Sequence, residues 1–270
     1  MNREFLRANL STLVAHALPK NARQFQCSVF DDQPQRNTFG LRIDPQPAEG
    51  PVVALTEEAF VIKTGRTRFV AVDRVLATLC PAVGDKVRAT PYIRRDFAGE
   101  RLDAPKEVSR QNSDGQNYTM MTVTLGGNTL RIPLPATPRC PYLADLVEQL
   151  EIMPTPDGQR TVANLLVDAR ARQIEIVDPD DEHLFATPPE ISFAIETGKF
   201  SGRIAVLYDR GYDLYVVELR ANDSVVMRIE EVDVTSLAEV MADLIDDGEW
   251  RRIRVEILGS GRGVKRDTAK

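Results

Sequence analysis

The apolar positions Phe5, Leu6, Leu10, Leu13, Val14, Ala17 and Leu18 recur at three- and four-residue intervals, which predicts a helix over residues 2–18 stopped by Pro19. The pattern then turns to alternation. Gln24 to Phe30 reads as a strand ending in the turn Asp31-Asp32-Gln33-Pro34. Residues 44–51, with three prolines and a glycine, read as a loop or linker. Val52 to Leu55, Phe60 to Lys63, Arg68 to Val72 and Lys86 to Tyr92 are short β-rich runs, with Thr64-Gly65-Arg66 as a turn and a helical turn around Arg74 to Leu79. Short strands with tight turns suggest a small barrel or curled sheet.

Residues 101–117 are polar and read as a linker. A hairpin is expected from Tyr118 to Leu125 and from Thr129 to Leu134, its tip at Gly126-Gly127-Asn128. Pro141 opens a short helix with Leu143, Leu146, Val147 and Leu150 on one face. Val162 to Val167 and Arg172 to Val177 fit either two strands or a short helix and a strand. Ile191 to Glu196, Arg203 to Tyr208, Asp213 to Leu219 and Ser224 to Glu230 then follow as successive strands, with Gly211 and Asn222-Asp223 at turns. Ser236-x-x-Glu239 reads as a capping box before a helix ending near Gly248, and Trp250 to Leu258 alternates as a last strand. The expected fold class is α+β: a small β-barrel-like unit plus a C-terminal β-meander–helix–strand unit. Residues 1–110 would hold the N-terminal helix and a small basic β unit. Residues 111–270 would form an α+β domain with an acidic C-terminal half and a basic tail.

Charge changes this picture more than length does. The 270 residues have a net charge of −6, which argues against a surface coated in basic groups. That figure averages unlike regions: residues 60–110 carry net +5, residues 175–250 net −14 and residues 251–270 net +5. On a strand, residues two apart share a face, so Arg66 would project with Arg68 and Lys86 with Arg88. Arg66, Arg68, Arg88, Arg94 and Arg95 are therefore the candidate nucleic-acid-binding residues. Phe60, Phe69, Tyr92 and Phe97 could stack on bases if exposed, the alternative being that Phe60 and Phe69 are core. The acidic half has two readings as well, a solvated surface or a face that attracts a basic partner.

Other chemistry finds little support. Asp178, Asp180, Asp181, Glu182 and His183 cluster, but Pro179 interrupts them and their spacing is not that of a calcium loop, so a solvated acidic loop is expected. Gly259-Ser-Gly-Arg-Gly-Val-Lys265 departs from the phosphate-loop spacing and reads as a basic tail. Cys80 and Cys140 each precede a proline with no histidine close in sequence and are read as small buried apolar residues. His16 is read as a boundary residue of the first helix. No catalytic residue, metal ligand or cofactor is assigned. No run of 18–20 apolar residues occurs, the N-terminus lacks a continuous apolar core, and the three cysteines form no paired framework. A cytoplasmic protein without a membrane partner is expected.

One stretch is similar to a known family. Gly50-Pro-Val-Val-Ala-Leu-Thr, Ala59-Phe-Val-Ile-Lys-Thr-Gly-Arg, Phe69-Val-Ala-Val-Asp-Arg and Pro81-Ala-Val-Gly-Asp-Lys-Val together resemble the KfrB-type domain over about residues 50–95. Lys63-Thr64 replaces the family's usual Gln-containing segment, and Val72 replaces its His before the acid. The resemblance implies an accessory protein of a plasmid or integrative element and no catalytic reaction. Three functional classes follow: a non-enzymatic accessory protein binding nucleic acid or a protein through the basic β unit, an interaction module using the acidic face of residues 175–250, or an enzyme with dispersed carboxylates.

Overall fold

The structure, a computed structural model, describes residues 1, 3–122, 124, 129–222 and 224–261, with the backbone only at Phe5 and Arg7. The expected Gly126–Asn128 hairpin tip, Asp223 of the expected turn, and the basic tail from Arg262 onward lie outside the described residues.

In chain order, helix α1 (Arg3–Val14) runs into a 3₁₀ turn at Ala15–Ala17 and is followed by strands β1 (Gln26–Phe30), β2 (Gln35–Arg36) and β3 (Arg42–Ile43). Next come β4 (Ala48–Leu55), β5 (Ala59–Lys63), β6 (Arg68–Asp73), β7 (Lys86–Thr90), β8 (Lys106–Gln111) and β9 (Asn117–Thr122). Helices α2 (Pro141–Ile152) and α3 (Val162–Asp168) precede β10 (Arg172–Val177), β11 (Glu190–Glu196), β12 (Ser201–Asp209), β13 (Leu214–Ala221) and β14 (Ser224–Val232). Helix α4 (Val234–Ile245) and β15 (Arg254–Gly259) complete the order. The chain is α+β and folds as two compact units: one of Met1–Gln35, Asp44–Ile93 and the described residues from Trp250 on, the other of Arg36–Ile43 and Arg94–Glu249.

The first unit is a six-stranded sheet in the order β1-β6-β5-β4-β7-β15, open at both edges rather than closed into a barrel. β4 begins inside the expected proline-rich loop. It pairs with β7 as far as Pro51 and with β5 from Val52, with a bulge between Val52 and Ala54. The bend brings Gly50 onto the carbonyl of Lys63, where a Cβ would sit 1.9 Å from that oxygen. The glycine is thus dictated by backbone approach, not by a turn. Leu6, Leu10 and Val14 of α1 pack with Val61, Phe69 and Ala71 on one side of the sheet. Phe60, Ile62, Val70, Val72, Val87 and Val255 form the core of the other. β5 and β6 are therefore buried on both faces, which explains their unbroken apolar runs.

The alternation from Trp250 to Leu258 marks a strand only from Arg254 on, since Glu249–Arg251 form a 3₁₀ turn, and its partner is not the preceding meander. β15 pairs antiparallel with β7, Val255 opposite Ala89 and Ile257 opposite Val87. Alternation reports which face is buried and carries no information about which strand lies alongside.

The second unit is built on the antiparallel sheet β10-β11-β12-β13-β14. Ile191, Phe193, Ile204, Val206 and Val217 face a core shared with Leu143, Leu150, Leu166, Leu237 and Met241 of α2, α3 and α4. The ambiguous stretch 162–177 resolves into α3 and β10. α4 starts earlier than the Ser236 capping box predicts: Asp233 caps it, its carboxylate accepting the Thr235 N–H at 2.8 Å. Asp178, just after β10, accepts the Arg139 and Cys140 N–H groups at the start of α2.

The expected linker at 101–117 contains a strand. β8 pairs with β9, Lys106 opposite Thr122 and Gln111 opposite Asn117, so the hairpin lies one strand earlier than the sequence predicts. Both strands are exposed almost throughout, and that removes the apolar signal a strand usually gives. Residues 130–132 are not a strand. Leu130 and Ile132 are buried, and the buried Glu151 carboxylate accepts the Ile132 N–H and pairs with Arg131.

Three loops of this unit share one design. Asn37, Asp96 and Asn112 each accept two backbone N–H groups, two and four residues on, through the side-chain oxygen. Gly40, Gly99 and Gly115 follow each of them by three residues with φ of 76°, 85° and 80°. The residue before each Asn or Asp closes the loop by donating to the glycine carbonyl: Arg36, Arg95 and Gln111.

At the helical layer, the Arg160 side chain is fully buried between three carboxylates. It meets Asp157 and Asp168 at 2.9 Å and also Asp246 at the end of α4. Burial pushes the Asp157 carboxyl upward. The Arg160 charge, the Gln159 N–H and the Thr155 hydroxyl outweigh that and hold it below the usual carboxylate range.

Two outcomes follow. Gly50→Ala forces β4 off Lys63 and should destabilise the first unit by about 1–3 kcal/mol in denaturant unfolding, as overpacking does. Arg160→Ala strands three acids and should destabilise the second unit by about 3–5 kcal/mol. Because Asp157 is depressed in the fold, its contribution is complete above the unfolded carboxylate value of about 4 and is lost as pH falls further. A pH titration of unfolding should show that acid-side loss in the native chain and a smaller one in the variant.

Candidate nucleic-acid interface

The orientation of β1 decides where the charges of the first unit fall. β1 runs parallel to β6, with Gln26 beside Arg68 and Phe30 beside Val72. β5 runs antiparallel to β6, with Lys63 beside Phe69 and Ala59 beside Asp73. One end of these strands therefore gathers Lys20, Arg23, Lys63, Arg66 and Arg68, and the other gathers Asp31, Asp32, Glu57, Glu58 and Asp73. The length of β6 puts about 17 Å between the two ends.

The acidic end has internal partners. Arg3 forms a two-point pair with Asp31 at 2.5 and 2.6 Å, the amine of Met1 meets Asp73 at 3.0 Å, and Arg74 donates to the carbonyls of Thr56 and Glu57. The basic end is held differently. Lys63 donates to the Ala17 carbonyl at 2.6 Å, just past the C-terminus of α1, where a cation complements the helix dipole. Arg66 donates to the Asn21 side chain at 3.2 Å. Lys20, Arg23, Arg66 and Arg68 are exposed, and among the described residues none of the five cations forms an ion pair.

The five arginines singled out in the sequence separate. Arg66 and Arg68 belong to the basic end. Arg88 lies on β7 with Lys86, and both bind Glu49 from the neighbouring β4, at 2.9 and 2.8 Å. Those two bonds pull the Glu49 carboxyl below its usual range. Arg94 and Arg95 belong to the second unit. Arg94 is half-buried and helps lower the Asp103 carboxyl, for which Arg101 is the main cause. Arg95 closes the Asp96 loop at 2.6 Å, a place that Gln111 fills in the equivalent loop without a charge.

Sequence reasoning passed over Lys20 and Arg23, which precede β1 by a few residues. Only the parallel pairing brings them beside the β5–β6 turn. The one signal available was the lack of any acid across residues 15–30 and 60–72.

The aromatics considered for stacking are engaged elsewhere. Phe60 and Phe69 are core, and Phe25 meets Phe69 edge-on at 5.9 Å. Tyr92 packs on Trp250, and Phe97 lies against the core of the second unit. Burial pushes the Cys27 thiol up beside this end, against a weaker opposing bond with Ala71, so it is a poor nucleophile at neutral pH. Cys140 is buried as expected, whereas Cys80 is exposed because it sits in the loop before Pro81 and outside either core. His16 is exposed on its 3₁₀ turn.

The acidic segment 175–250 is dispersed over several elements. Arg220 binds Glu190 through two bonds at 2.6 and 2.8 Å and also holds Glu218; Arg228 holds Glu218 and Glu230; Arg203 holds Glu175. Asp180 pairs with His183 in the exposed loop. No helix among the described residues is long and apolar enough to cross a membrane. No family model, curated protein or solved structure matches the chain.

Arg66 and Arg68 are exposed and unpaired with acids, so replacing both by alanine should change unfolding stability by less than about 0.5 kcal/mol. A thermal or urea unfolding curve matching that of the native chain checks this, and makes the double variant a clean probe of binding.

Proposed function

We propose that the first unit binds the phosphate backbone of nucleic acid through its basic end. The observation that carries the reading is the set of Lys20, Arg23, Lys63, Arg66 and Arg68 at one end of a sheet, with no carboxylate among the described residues paired to any of them. A solvated arginine attracts phosphate in proportion to the charge it has not already neutralised, which also sets Arg88 aside. The separated acidic end supports the reading in a second way: it repels the same polyanion and orients the unit against it. The mode of contact is to the backbone, without sequence readout, because Phe69 is core and Phe25 packs edge-on against it. Such a protein fits a non-enzymatic accessory role in a mobile genetic element, the setting implied by the KfrB-like stretch.

The experiment is a titration of a fluorescein-labelled duplex with the full chain across a salt series. Log K should fall linearly with log salt, at a slope of about −0.9 per phosphate contacted. The Arg66→Ala, Arg68→Ala variant should make that slope shallower by about two units, and Arg88→Ala should leave it unchanged. A double variant that binds with the native affinity and slope would rule the reading out.

A further inference from the structure

The β8–β9 hairpin lacks a covered face: among its described residues all are exposed but the half-buried Val108. A two-stranded ribbon is marginal in water by itself, and stability normally comes from a third strand or a packed layer. Its register divides the side chains cleanly. Val108 lies opposite Met120, Arg110 opposite Tyr118 and Lys106 opposite Thr122, so these six share one face. Glu107, Ser109 and Gln111 fall on the other. The first face thus carries an aromatic ring and two aliphatic side chains between two cations, with no acid. Tyr118 and Met120 are 46% and 39% exposed, and Lys106 and Arg110 are exposed. Among the described residues neither cation forms an ion pair. Four residues of strand separate Lys106 from Arg110, about 14 Å.

We infer that this face of the β8–β9 ribbon is a platform for single-stranded nucleic acid, with Tyr118 stacking on a base while Arg110 and Lys106 meet the phosphates on either side. Charge decides against a second copy of the chain as the occupant. Two such faces brought together would set Lys106 and Arg110 against their own like. The face calls for a polyanion that also offers flat apolar surface, and an unpaired strand presents both: every base has a π-face and every link a charge. Val108 and Met120 extend the apolar floor beneath a neighbouring base. The inference goes beyond the duplex-backbone reading, since it uses other residues on the other unit.

The test is anisotropy of a fluorescein-labelled oligothymidylate with the full-length chain. Tyr118→Ala should weaken binding by at least about fivefold, and Tyr118→Phe, which keeps the ring, should restore most of it. Lys106→Ala with Arg110→Ala should make the salt slope shallower by about one to one and a half units, at the single-strand value per phosphate. The ribbon packs on neither core, so circular dichroism of these variants should match the native chain. Native affinity in Tyr118→Ala overturns the inference, as does an equal loss in Tyr118→Phe. Retained oligothymidylate binding alongside a Tyr118-dependent association with an acidic protein or a second copy overturns it too. The Arg66→Ala, Arg68→Ala chain separates the two sites: if the duplex reading fails, that variant binds duplex normally while the Tyr118 effect on the single strand persists.

Discussion

Parallel pairing of β1 with β6 is the constraint from which the character of the first unit descends. Hydrogen-bonded strands in a parallel pair place their beginnings together, so the basic residues before β1 join those before β6 and the acids after β1 join the acid after β6. An antiparallel β1 would have mixed the two sets and produced a neutral rim at each end. α1 reinforces the arrangement. It starts where Arg3 and the chain amine meet Asp31 and Asp73, and the 3₁₀ turn that follows it ends where Lys63 meets the Ala17 carbonyl. The helix dipole thus opposes the polarity of the strand ends and steadies it.

The second unit uses charge in the opposite way. Its sheet face away from the helices is laced by arginine–carboxylate pairs: Arg203 of β12 reaches Glu175 of β10, Arg220 of β13 holds Glu190 of β11 and Glu218 of its own strand, and Arg228 of β14 holds Glu218 of β13 and Glu230 of its own strand. Glu218, at 3% exposure, is buried beneath arginine side chains and not beneath another layer. These hydrogen bonds raise the Arg220 guanidinium above its ordinary value. Arg160 does on the helical side what these arginines do on the sheet. It ties the loop after α2, the end of α3 and the end of α4 to one charge. A segment with net −14 therefore spends many of its carboxylates on caps and bridges.

How legible this was depended on whether the physics was local. α1, α2 and α4 follow from periodicity because each has one buried face, whereas β11 and β13 are buried on both faces and β14 is exposed along most of its length, so the meander was read from β-rich runs between turn residues. β5 and β6 were legible for the opposite reason, an unbroken apolar run bounded by turns. The ribbon β8–β9 was hidden because it buries nothing, yet its loop was signposted: Asn or Asp followed by Gly three residues on occurs at Asn37, Asp96 and Asn112 with the same bonds each time. Reading that signal would have moved the hairpin to its proper place and given Arg95 its structural role. The grouping of Lys20 and Arg23 with Arg66 and Arg68 could not be read, since strand direction within a sheet is a long-range property.

The placement of β15 bears on how the molecule comes into being. β7 emerges early in synthesis, whereas its partner is separated from it by the whole of the second unit. Until residues 254–259 leave the ribosome, the nascent first unit has an open strand edge at β7 and lacks Ile253 and Val255 from its core. The second unit is contiguous from Arg94 to Glu249 but for one short ribbon and can condense in that interval. Its folding brings the late strand back into range and shortens the effective loop that β15 must close. The strand that emerges after the second unit completes the unit that precedes it.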